Sequence, residues 1–200
     1  MSTAERLFSE HGLSAVSNRQ ICEAAGQGNV AAVSYHFTGK AGLIRAILST
    51  HGDQIDRIRG RHLAEVGDSD DIRDWVGCLV RPVAEHLASL GTPSWQARFG
   101  VQVMIDPLLR AISIDEALVR NSLRRTLEGL GRCLEDLPAP VRAERGDMAR
   151  HLITHTCAER ERALAEGAVP PRSSWARTAE ALTDAIVGLL TAPVTPRTTS

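Results

Sequence analysis

Gly26-Gln27-Gly28-Asn29-Val30-Ala31-Ala32-Val33-Ser34-Tyr35-His36-Phe37-Thr38-Gly39-Lys40 is the stretch that decides how this chain folds. Gly26 follows a helical run, Asn18 to Ala25, and suits the left-handed position just past a helix end. Asn29 suits an N-cap, because its side-chain oxygen can accept a backbone N–H two or three residues on. The turn between them is too short for anything but two helices crossing steeply. That is the helix-turn-helix arrangement, whose second helix enters the DNA major groove. The second helix, Val30 to Phe37, is built largely from small side chains. Val33 and Phe37, four apart, anchor one face to the core, while Ala32, Tyr35 and His36 fall toward the other side. Upstream, Ser17 with Gln20 three residues later is a capping-box signature that opens the preceding helix.

The ordered set Phe8, Gly12, Ser17, Ile21, Ala24-Ala25-Gly26, Tyr35-His36-Phe37, Lys40 and Leu43 resembles the tetracycline-repressor (TetR) family of transcriptional regulators. The resemblance implies an all-α protein of about nine helices. Residues 1–50 would form a three-helix, helix-turn-helix DNA-binding domain. Residues 51–192 would form a helical effector-binding and dimerisation domain, and 193–200 a flexible tail. The DNA-binding set is then Ser17, Asn29, Ala31, Ala32, Ser34, Tyr35, His36 and Lys40. Of these, Tyr35, His36 and Lys40 are expected on phosphates, and Asn29, Ala31, Ala32 and Ser34 near base edges. The small side chains suit apolar contact with a thymine methyl. In the family the first helix usually starts earlier, often after a basic arm; Met1 leaves no room for that arm here, so the resemblance does not carry over a minor-groove contact from it. The turn between helices two and three is one residue longer than in the commonest family pattern.

Composition adds little to this reading. At 43% apolar and 24% charged, the 200 residues suit an ordinary soluble protein with a sizeable core, built from aliphatic side chains because aromatics are only 4%. The net charge of −1 carries no global sign of nucleic-acid binding. Residues 1–50 hold Arg6, Arg19, Lys40 and Arg45 against Glu5, Glu10 and Glu23, a weak electrostatic footprint for a DNA reader. Lys40 is the only lysine. A positive charge at a helix start opposes the macrodipole and fits an external anion, and the resemblance supplies one in a DNA phosphate. Cys22, Cys78, Cys133 and Cys157 are scattered, nothing resembles a signal peptide, and no apolar run approaches the roughly 18 residues of a membrane span. A reduced, cytoplasmic compartment is the expected location.

Downstream, the periodicity predicts helices over Lys40–Val66, Ile72–Leu90 with a kink at Pro82, from Ser94 to Met104, Ile114–Leu137, Val141–Glu166 and Ser174–Thr191. Asp106-Pro107 reads as a break, and Pro138, Pro140, Pro170 and Pro171 as stops. Trp75, His86, Trp95, Arg98, Phe99, Gln102 and Met104 are the expected walls of an effector pocket, aromatic and sulfur surface with a few polar groups. Leu152 with the four-and-three seam Trp175, Ala179, Leu182, Ile186 and Leu189 is the expected face of a homodimer. A single reading head spans only a few base pairs, so two heads on a near-palindromic operator are expected.

Other readings of these residues are weaker. Gly26-Gln27-Gly28 lacks the strand and the G-K-[ST] ending of a nucleotide loop. His151 and His155, with Cys157 and Glu159 nearby, have a spacing that could hold a metal, but histidines among Arg and Glu on a helix read as solvated. No nucleophile–base constellation stands out. No enzyme activity, cofactor or metal is therefore expected. The expected function is a repressor released from double-stranded DNA by an unknown small molecule. The alternatives are an activator or effector-independent regulator of the same family, or an all-helical enzyme or interaction module.

Overall fold

The structure, a computed structural model, describes residues 1–26, 37–168 and 174–194. The expected helix Val30–Phe37, but for Phe37, and the site residues Asn29, Ala31, Ala32, Ser34, Tyr35 and His36 lie outside the described residues, as do Pro170-Pro171 and most of the expected tail. Among the described residues the fold is all-α, with nine helices and no strand: α1 Ser2–His11, α2 Asn18–Ala24, α3 Gly39–Val66, α4 Ile72–Ser89, α5 Gln96–Ile105, α6 Pro107–Leu118, α7 Asn121–Cys133, α8 Ala139–Ala165 and α9 Trp175–Thr191.

Local chemistry sets most of the boundaries. Ser17 and Gln20 form the full capping box at the start of α2, with the Ser17 N–H donating to Gln20 Oε1 at 2.8 Å. Gly26 takes the left-handed conformation past its end, at φ 67°. Asp71 caps α4 by accepting from the Arg73 N–H at 2.8 Å, and Ser174 caps α9 by accepting from Arg177 at 3.2 Å. Pro82 lies inside α4, which runs on to Ser89.

One expected helix is corrected. Ile114–Leu137 is two helices, α6 and α7, and the first begins at Pro107. Asp106-Pro107 starts a helix here: the Asp106 carboxylate accepts from the N–H groups of Leu108 and Leu109 at 2.9 and 3.0 Å, and Pro107 occupies the first turn, where no N–H is needed. The chain breaks at Arg120, which is extended (φ −79°, ψ 124°). Its guanidinium folds back onto the Glu116 carbonyl and reaches the Ser49 carbonyl and Asp53 of α3.

Among the described residues two hydrophobic cores result. One gathers Ala4, Phe8, Ile21, Leu43 and Ile47 of the first three helices, and Phe99, Val103 and Leu109 of α5 and α6 join it. The other packs α4 against α3, α7 and α9, with α5 against α8. The cores therefore cross residue 50, and α3 runs straight through it.

The dimer seam is also corrected. Ala179, Leu182 and Ile186 are buried within their own chain, Ile186 at 0% exposed, in the core that holds Val76, Val80 and Leu87 of α4. Side chains already out of water cannot be the surface offered to a second copy. Trp175 and Leu189 are half-buried against the same core. The Arg160 guanidinium also covers the Trp175 ring at 5.1 Å. Leu152, at 38% exposed, is the one residue of the expected interface that the chain leaves outside.

Candidate nucleic-acid interface and interior cavities

The N-terminal head is held by its own polar contacts. Lys40, in the first turn of α3, donates from Nζ to the Val16 carbonyl at 2.7 Å and stands 5.6 Å from the Phe8 ring centroid. Partial burial lowers its pKa from the ordinary lysine value. Lys40 thus ties the start of α3 to the turn before α2, and the ammonium keeps further N–H donors for an outside acceptor. Arg6 pairs with Glu10 at 3.0 Å and Arg19 with Glu23 at 2.7 Å, both one helical turn apart. Ser17 is exposed, with its side chain engaged in the capping box. Thr38, where α3 begins, holds a left-handed backbone at φ 50°. That is a costly conformation for a β-branched residue. Gly42 lies so close beneath the Phe37 carbonyl that a Cβ there would overlap it.

Among the described residues, several polar and aromatic contacts also bind the head to the rest of the chain. The Phe8 and Phe99 rings stack with centroids 6.1 Å apart. Ser9 Oγ donates to the Trp95 carbonyl at 2.9 Å. Arg45 of α3 pairs with Glu116 of α6 at 3.3 Å. A part-buried polar chain runs from Glu5 of α1 through His51 of α3 to buried His86 of α4, with His51 Nε2 3.1 Å from the Glu5 carboxylate and His51 Nδ1 2.8 Å from His86 Nε2. Burial, with His51 beside it, pushes the His86 pKa down to about 4 against the opposing pull of Glu5.

α5 carries both Trp95 at its cap and Phe99, and a carboxylate from α8 fixes its start. Glu161, 1% exposed, accepts from Ser94 Oγ, from the Ala97 and Arg98 N–H groups and from Arg98 Nε, all between 2.9 and 3.2 Å. It satisfies the orphan donors of the first turn and complements the macrodipole.

Two open hollows share a wall. The smaller, about 190 Å³, is walled by Leu48, His51, Phe99, Glu116 and Arg120. The larger, about 420 Å³, is a leucine-rich cleft between α4, α6, α7 and α8, and both hollows touch Arg59, Val83, Ala117 and Leu123. A third, more polar groove of about 390 Å³ lies between α1, α5 and α8, where Ser9, Arg98, Gln102 and His155 face it.

The comparisons with known proteins bear on the head and the fold separately. Residues 1–47 match the bacterial regulatory proteins of the tetR family. The chain carries a TetR-family N-terminal domain. Its fold is similar to that of a TetR family transcriptional regulator, PfmR from Thermus thermophilus, with a TM-score of 0.52 and 17% identity over 98% of this chain and 95% of that one. No curated protein matches by sequence.

In this TetR-like fold the expected pocket residues are dispersed. Phe99 lines the smaller hollow, and Arg98 and Gln102 line the third groove. Trp75, His86, Trp95 and Met104 line none of these three hollows. Trp75 is core: its ring lies flush against Gly129 beneath the Arg132 guanidinium, and its Nε1 donates to the Ser69 carbonyl at 2.8 Å. Met104 receives an N–H from Arg150 at 3.3 Å. The residues that sequence reasoning missed are Arg59, Leu79, Ile114 and Ile153. The stripe Leu123, Leu127 and Leu130 was visible as helix packing but turns toward the cleft. Among the described residues no three His, Cys, Asp or Glu side chains come together as a metal site. His151 and His155 are exposed while Cys157 is buried on the other side of α8, where burial pushes its thiol up to about 12. No described helix is long and apolar enough to cross a membrane.

Proposed function

We propose that this DNA-binding regulator is a repressor that holds a near-palindromic operator as a homodimer and leaves it when a small molecule occupies the interior hollows. The observation that carries the reading is the position of Phe99. It walls the smaller hollow and also stacks on Phe8 of the DNA-binding head. His51 has the same double membership, on the hollow and in the chain to Glu5. A guest that moves either side chain therefore acts on α1 directly. A guest that binds better to the head orientation unfit for DNA shifts the population toward it.

On DNA, Tyr35, His36 and Lys40 take phosphates, and Asn29, Ala31, Ala32 and Ser34 approach base edges, with Ser17 at the start of α2. The dimer uses the outer faces of α8 and α9: Leu152 and Met148 stand exposed on α8, and the small residues Ala181, Ala185 and Gly188 are exposed on α9. Small residues let helices approach closely, and the exposed apolar pair gains from burial.

A mobility-shift titration on the DNA flanking its own gene tests the reading. Lys40→Ala should weaken binding to all sequences alike and flatten the salt dependence by about one charge. Melting curves must accompany it, because the variant also loses the tie to Val16. A change in base preference at one position would overturn the phosphate assignment. Leu152→Glu should yield folded monomers by sedimentation and abolish tight operator binding, whereas a folded dimer would place the interface elsewhere.

A further inference from the structure

Arg59 lies in the middle of α3, 6% exposed, on the wall shared by both interior hollows. A buried charge is stable when it is paired and hydrogen-bonded, and costly otherwise. Arg59 Nε donates to the Cys78 carbonyl at 3.0 Å. Among the described residues it belongs to no ion pair, and its two terminal nitrogens donate to no described residue. The nearby Asp56, one turn earlier on α3, is engaged with Ser122 Oγ. Burial pushes the Arg59 pKa down to about 10, against the pull of Asp56, so the guanidinium is still charged at neutral pH.

The other arginines on these walls differ. Arg120 is engaged with the Glu116 and Ser49 carbonyls and with Asp53. Arg150, at the cleft's rim, pairs with Asp147 at 3.0 Å. Arg59 alone among the described cleft residues presents a cation without a carboxylate. Beyond it, Leu79, Val83, Leu123, Leu127, Leu130 and Ile153 form an apolar wall. A volume of about 420 Å³ suits a small organic ligand. The planar fork of Arg matches a carboxylate bidentately. With a single cation free of a carboxylate on its wall, the cleft suits one negative charge rather than the two of a phosphate monoester.

We infer that the cleft takes an amphipathic carboxylic acid, its carboxylate on the Arg59 guanidinium and its hydrocarbon chain along the leucine wall. The inference rests on the reading of this cleft as the effector site and names the chemistry of the effector.

The test pairs direct binding with operator release. Octanoate, decanoate and dodecanoate are titrated calorimetrically into the full-length protein against octanol, decanol and dodecanol. The best acid should bind at least about tenfold tighter than its alcohol, the weight of a hydrogen bond to a charged group. Arg59→Met should erase that preference while melting no earlier than the parent, since an apolar chain replaces a lone buried charge. Arg59→Lys should keep the preference with weaker binding. Failure of every acid to bind, equal binding of acid and alcohol, or an acid preference that survives in folded Arg59→Met would each overturn the inference. Acid binding through Arg59 without operator release would leave the ligand chemistry standing and remove the effector reading. Release by alcohols as effective as that by acids would do the reverse.

Discussion

Glu161→Gln is the substitution that bears most directly on how α5, and with it Phe99, is held. The parent carboxylate is buried and accepts four hydrogen bonds, two from N–H groups in the first turn of α5, one from Ser94 just before its cap and one from the Arg98 side chain. Glutamine keeps the volume but offers one accepting oxygen. Its amide nitrogen would face an N–H or the guanidinium, donor against donor. The charge opposite Arg98, whose side chain is 21% exposed, is lost with it. Hydrogen bonds to charged groups are worth about 1.5–3 kcal/mol each, and breaking a buried pair costs about 3–5 kcal/mol. A loss of about 3 kcal/mol is therefore expected, a fall of roughly 10 °C in melting temperature for a chain of this size. Thermal unfolding by circular dichroism at matched protein concentration measures it. Arg98→Gln should cost less, about 1.5 kcal/mol, because the carboxylate retains Ser94 and two backbone donors. The double variant gives the coupling between the two. A Glu161→Gln protein within about 1 kcal/mol of the parent would refute the claim that this carboxylate anchors α5.

Two further outcomes follow from buried groups. His86 is neutral in the folded protein, its pKa down at about 4 against 6.5 when unfolded, so its contribution to stability is complete above pH 7 and is lost as pH falls toward 4. About 2 kcal/mol should be gone by pH 5, and His86→Gln should flatten denaturant-measured stability across that window; a parent slope no steeper than the variant's would contradict the burial argument. Gly129→Ala should destabilise by about 1–2 kcal/mol despite its better helix propensity, because the new methyl would collide with the Trp75 ring, whereas Gly131→Ala on the same helix, with open space around it, should gain about 0.5–1 kcal/mol. Equal signs for the two glycines would show that Trp75 yields.

Near neighbours in the chain settle some features between themselves, and those are legible in the sequence. The Ser17–Gln20 box, the left-handed Gly26 and the glycine that closes α1 each involve contacts within four residues, so local chemistry alone specifies the head's first two helices. Asp106-Pro107 was ambiguous even at that range, because the same dipeptide can stop one helix and cap the next. Periodicity established that α9 has an apolar seam, but a seam reads the same whether it faces its own chain or another. Only the packing of α9 on α4 gave Ala179, Leu182 and Ile186 to the interior. Aromatic side chains drew attention to Trp75, yet large rings fill cores as readily as they line pockets, and Gly129, fifty-four positions later, decided the matter. Arg59 looked like one more charge on a long helix. Its isolation depends on Cys78, Asp56 and an apolar wall drawn from three other helices, and Phe99 reaches Phe8 across ninety-one residues. Burial and pairing between distant segments are properties of the assembled fold, and on those the cavity and its coupling to the head depend.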